Sequence, residues 1–105
     1  MPVTNETLIY GNLCIHINSR SVYVDEREVL LTKMEFDVLC FLASNPNIAF
    51  TKDQIHEAVS NDDYFGDSSY TMRDIIYRLR TKLNIPYIHT LHGFGYKFST
   101  EDGTE

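Results

Sequence analysis

A chain of 105 residues suffices for one domain with a single modest core, and 43% hydrophobic with 23% charged residues is ordinary for a globular protein. No segment approaches the roughly 20 apolar residues that span a bilayer, no secretory signal opens the chain, and two cysteines do not make a disulfide framework, so a cytoplasmic protein without membrane contact is expected. The formal net charge of -6 argues at first sight against nucleic acid, but residues 73 to 97 hold five of the nine basic residues (Arg73, Arg78, Arg80, Lys82, Lys97) against one acid, Asp74.

Period-two alternation over residues 8 to 31 predicts three or four antiparallel strands in a meander. Leu13, Ile15 and Ile17 alternate with Cys14, His16 and Asn18; "SVYV" and "EVLL" follow after "NSR" and "DER", which are short enough for hairpins. At Thr32 the period changes. "TKME" sets Glu35 three residues after a threonine, a capping box, and Phe36, Leu39, Cys40 and Ala43 then recur at helical spacing. Cys14 and Cys40 both read as buried free thiols. Pro46 disfavours helix at Asn45, so "NPN" ends the first helix. "TKDQ" repeats the capping box with Thr51 and Gln54, and Ile55, Ala58 and Val59 give a short second helix its buried face. "SNDDYFGDSS" is a loop by composition. Met72, Ile75, Ile76, Leu79 and Leu83 form one apolar stripe and predict a third helix over about residues 69–83. After "NIP", "YIHTL" and "YKFS" read as two strands flanking "HGFG". Residues 1–7 are then an N-terminal segment, 8–99 the domain and 100–105 an acidic flexible tail.

The glycines of "HGFG" raise the question of a phosphate loop. Such loops lie between a strand and a helix, whose terminal N–H groups meet the anion. No helix follows Gly95, so Gly93 and Gly95 are expected to supply positive φ for a tight hairpin. No metal site is expected either: His16, His56, His89 and His92 are scattered without the ligand spacing of a metal motif. Asp62, Asp63 and Asp67 lack the terminal glutamate and full alternation of a calcium loop. No nucleophile–base pattern suggests catalysis, and no cofactor is implied. The acidic loop, with Tyr64 and Phe65 beside Asp62 and Asp63, reads as a contact for a protein partner or as packing on the body.

On a helical wheel of about 100° per residue, the side of the third helix opposite its apolar stripe carries Tyr70, Asp74, Tyr77 and Thr81. Arg73 and Arg78 border that side, and Arg80 and Lys82 lie nearer the core boundary. Forked donors, hydroxyls and flat rings are what reading phosphates and base edges requires; a solvated helix face is the plainer alternative.

The order of elements and three stretches, "LLTKMEFDVLCFLASNPNIAFTKDQI", "TMRDIIYRLRTKLN" and "IHTLHGFGYKF", resemble the winged-helix effector domain of OmpR/PhoB-type response regulators. The resemblance covers about residues 8–99. It implies an α+β fold: a winged helix-turn-helix with an N-terminal four-stranded antiparallel sheet, three helices and a C-terminal β-hairpin wing. It further implies a transcription regulator that binds double-stranded DNA, its third helix in the major groove and its wing in the adjacent minor groove. Carried onto matching positions, Arg78 and Arg80 would contact phosphates or bases, with Lys82 close by. Tyr70, Arg73, Asp74 and Tyr77 would occupy the variable groove side, and Thr90 and Tyr96 would sit near the DNA backbone. His92 stands where the family usually has an arginine. The loop with Asp62, Asp63, Tyr64 and Phe65 matches the segment used to touch RNA polymerase. A head-to-tail dimer on DNA and a receiver domain in a longer chain belong to the same pattern; the chain is then an excised effector domain or a stand-alone variant. A winged-helix protein-interaction module that has lost DNA binding is the alternative.

Overall fold

The computed structural model describes residues 7–59 and 71–100. Four short strands, β1 (Thr7–Tyr10), β2 (Leu13–His16), β3 (Ser21–Val24) and β4 (Arg27–Val29), pair consecutively as an antiparallel meander. β1 takes in Thr7, one residue earlier than expected, opposite His16. The β3–β4 turn is the two-residue pair Asp25–Glu26, both at positive φ, the geometry that matches the twist of a tight hairpin. Alternation places Leu13, Ile15 and Val22 in the core and leaves Cys14, His16 and Tyr23 on the other face. Both cysteines are free thiols but only half-buried, a correction to the expected burial. Cys14 belongs to the outward row of its strand, and Cys40 lies at the rim of its helix.

Helix α1 (Lys33–Ser44) begins at the capping box: Glu35 N donates to Thr32 Oγ1 at 3.2 Å, and Thr32 N donates to Glu35 Oε1 at 3.0 Å. It ends at Asn45, whose N–H donates to the Leu42 carbonyl. Helix α2 (Lys52–Val59) is capped in the same reciprocal way by Thr51 and Gln54 and buries Ile55 and Val59. Ala58, expected in that buried face, is exposed, because so short a helix turns only one narrow stripe inward. Helix α3 (Met72–Leu83) buries all five residues of its apolar stripe and packs on α1. It starts at Met72 rather than near residue 69, since Thr71 is the N-cap: its backbone is extended and its side chain accepts from Asp74 N. Tyr70, the loop residues Asp62, Asp63, Tyr64 and Phe65, and the acidic tail lie outside the described residues.

The C-terminal sheet has three strands where two were expected. β6 (Ile88–Leu91) and β7 (Gly95–Phe98) form the hairpin, and β5 (Ala49–Thr51) pairs with the other edge of β7 in the order β5-β7-β6. β5 is three residues long and carries the cap of α2, so no alternation announces it. The glycine reading also divides. Gly93 has φ +78° and makes the turn, closed by Phe94 N donating to the Leu91 carbonyl at 2.9 Å. Gly95 does not supply positive φ; it sits in β7 because a Cβ there would collide with the Phe50 carbonyl of β5.

Candidate nucleic-acid interface

The outer face of α3 is set by what its inner face buries. With Met72, Ile75, Ile76, Leu79 and Leu83 packed inward, Arg73, Asp74, Tyr77, Arg78 and Thr81 are directed to solvent. Tyr77 keeps 68% of its surface exposed, a large ring left outside a core that had room for other aromatics. Asp74 is the acidic residue of the first turn, where the helix dipole favours a carboxylate.

Arg80 is half-buried and faces the wing. Its Nε donates to the Ile88 carbonyl at 3.1 Å and its Nη2 donates to Thr90 Oγ1 at 2.5 Å, so two residues of β6 hold one guanidinium of α3. Asn84, in the left-handed region, closes the helix by donating its N–H to the Arg80 carbonyl at 2.8 Å. Helix α3 and the hairpin are thereby linked through Arg80.

Lys82 goes elsewhere. Its Nζ lies 2.7 Å from Oε1 of Glu35, which is only 2% exposed in the first turn of α1. Burial pushes the Glu35 carboxyl up, but the Lys82 ammonium and the Thr32 donors outweigh it and hold the group below its ordinary value. Lys82 thus braces α3 against α1, away from the outer face on which Tyr77 and Arg78 lie.

Wing residues Thr90 and Tyr96 face each other across the β6–β7 ladder, and His92 is exposed at the turn. Tyr96 also lines a cleft with Arg73 and Asp74 of α3, which brings helix and wing candidates to one place. That cleft contains a residue the sequence did not suggest, Lys52 at the start of α2. Lys52 lines the adjoining recess under the wing too, with Thr90, His92 and Tyr96. Its only signal was its place after the second capping threonine, which fixes it at a helix start but not what the start faces. Lys52 and Arg73 therefore border one cleft between α3 and the hairpin, Arg78 is exposed further along α3, and exposed Asp25, Glu26 and Glu28 belong to the N-terminal sheet.

A three-helix unit whose last helix presents a polar, cation-bordered face beside a β-hairpin is a winged-helix domain. Residues 26–98 match the family model described as "Transcriptional regulatory protein, C terminal". The uncharacterized transcriptional regulatory protein YcbL of Bacillus subtilis is 37% identical over 100 residues, covering 91% of this chain and 44% of YcbL. The Klebsiella pneumoniae RstA DNA-binding domain, solved in complex with the RstA box, superposes with a TM-score of 0.74 at 26% identity, covering 91% of this chain and 99% of that one. The response regulator DrrB, a Thermotoga maritima OmpR/PhoB homolog, gives a TM-score of 0.74 at 27% identity, covering 89% of this chain and 44% of DrrB. The chain belongs to the OmpR/PhoB-type effector-domain family of transcriptional regulators, which are not enzymes. It spans less than half the length of YcbL and of DrrB.

Proposed function

We propose that the chain is a sequence-specific, double-stranded DNA-binding domain of a transcription regulator, with α3 in the major groove and the β6–β7 hairpin in the adjacent minor groove. The observation that carries this reading is the Arg80 link, which makes the outer face of α3 and the wing one surface. A helix fits a major groove about 12 Å wide, and a hairpin beside it meets the next stretch of backbone. Arg73, Arg78 and Lys52 neutralise phosphates, and Asp74 and Tyr77 face base edges. Thr90, His92 and Tyr96 lie along the sugar–phosphate wall. Arg80 is a positioning residue that aligns the wing, and Lys82 acts through the core. RstA is solved on its own DNA box, which supports the same mode here.

In a longer chain such a domain takes its input from a receiver domain, binds as a head-to-tail dimer and offers the loop with Asp62, Asp63, Tyr64 and Phe65 to RNA polymerase. Its work is at the chromosome, hence in the cytoplasm of a bacterium. No helix among the described residues is long and apolar enough to cross a membrane. The test is a titration of labelled random duplex at low salt, followed by selection of duplexes from a random pool. Tight, salt-sensitive binding with recovery of a common motif is expected. Absence of any duplex binding would leave the protein-interaction module as the reading.

A further inference from the structure

The wing ends in an aromatic ring that the domain itself does not need. Phe94 sits between Gly93 and Gly95 and keeps 51% of its surface in water, in a protein that buries Phe36 and Phe98 almost completely. The turn that presents it is well held: Phe94 N donates to the Leu91 carbonyl, and Gly95 behind it is pressed against β5 with no room for a Cβ. In front, the tip stands clear, since a Cβ built on Gly93 meets no atom within 4 Å. The tip is therefore a narrow, backbone-thin projection with one apolar side chain. Residues 88–98 contain no acid and carry His89, His92 and Lys97, so nothing along the hairpin repels a phosphate backbone.

We propose that Phe94 is a non-ionic DNA contact: its ring enters the minor groove beside the site read by α3, packs against deoxyribose walls and partly wedges a base step. This rests on the DNA-binding reading above and adds a residue and a chemistry to it. Apolar wedges in minor grooves open at base steps that unstack cheaply, so the contact favours flexible pyrimidine–purine steps under the wing. Charge complementarity favours a polyanion over an apolar surface, because the hairpin carries Lys97 and no acid, and the narrow tip, tied to α3 through Arg80, has the shape to follow a duplex groove.

The experiment compares the intact domain with Phe94→Ala, Phe94→Leu and Arg78→Ala on a labelled duplex recovered by the intact domain from a random pool. Affinity is measured across a salt series. Phe94→Ala is expected to weaken binding about tenfold with the salt slope unchanged, because no counterion is released by an apolar contact. Phe94→Leu should recover most of the loss, and thermal stability of both should match the parent because Phe94 belongs neither to the core nor to the residues packed against it. Arg78→Ala should instead flatten the slope. If Phe94→Ala binds like the parent while Arg78→Ala is weakened, the inference fails and the DNA reading stands. If the parent binds no duplex, both fall. A loss with a flattened slope, or one confined to cooperative binding of a second copy, overturns the inference by assigning Phe94 to wing alignment or to a protein contact.

Discussion

Arg80 of α3 and Thr90 of β6 are hydrogen-bonded through Nη2 and Oγ1, and the same guanidinium also takes the Ile88 carbonyl. One planar, forked cation thus sets the angle between the helix and the wing. Arg80 is a strong phosphate ligand by residue type, yet two of its donors are already used inside the protein. Thr90→Val should keep the strand and remove the acceptor, at a cost of about 1 kcal/mol for an exposed charge-assisted bond. The expected signature is faster amide exchange at Phe94, whose N–H closes the wing turn, together with a several-fold loss of DNA affinity. Arg80→Lys should behave like the valine variant, because an ammonium cannot span both acceptors in one plane. Unchanged exchange and affinity in both variants would show that helix and wing are aligned without this link.

The Glu35–Lys82 pair predicts a pH dependence of stability with a definite sign. The folded carboxyl titrates below its ordinary value of 4.5, so the folded state binds fewer protons than the unfolded chain there. Its stabilisation is fully present above about pH 4.5 and is lost as pH falls through the lower, folded value. Denaturant midpoints should drop on acidification in that window. Lys82→Ala leaves only the Thr32 donors against burial and raises the folded Glu35 pKa toward its unfolded value, so the variant should lose less stability on acidification than the parent. It should cost about 2 kcal/mol at neutral pH, less than a fully buried pair because the lysine is partly exposed. Lys82→Ala with Glu35→Gln should recover part of that loss. Equal acid sensitivity in Lys82→Ala and the parent would refute the assignment.

Arg73 and Arg78 are exposed beside the outer face of α3. Alanine at either should weaken binding to all duplexes alike and lower the salt slope by about one ion. Lys52→Ala should do the same if the cleft it shares with Arg73 and Tyr96 follows the DNA backbone. Identical slopes in parent and all three variants would place the phosphates elsewhere.

Asp74 has two roles that one pair of variants separates. In the first turn of α3 its carboxylate favours the helix by about 0.3–1 kcal/mol, and in the proposed DNA complex it would repel phosphates while accepting from a cytosine amino group. Asp74→Ala should lower stability slightly, raise affinity for random duplex and relax preference at one or two base pairs of the selected motif. Asp74→Asn should raise non-specific affinity equally but shift preference toward adenine, since a side-chain amide pairs with its N6 and N7. Selection returning one motif for parent and both variants would remove Asp74 from base reading.

The three helices, both capping boxes, the meander and the wing were legible because their determinants are local. A threonine and its partner three residues on, a stripe at helical period, and a glycine after a β-branched run act within one turn of chain. The same holds for the outer face of α3, since five apolar positions leave Asp74, Tyr77 and Arg78 outside wherever the helix packs. What the tertiary structure decided involves residues far apart. Gly95 is required by the backbone of Phe50, and β5 exists because β7 offers it an edge. Arg80 and Lys82, two residues apart with the same charge, part company because Thr90 lies on one side of α3 and Glu35 on the other. Lys52 comes to line the recess with Thr90, His92 and Tyr96 only when α2 is set beside the wing. Helical and strand periods register burial of a whole face; they carry no information about which distant carbonyl or carboxylate will stand opposite one exposed cation.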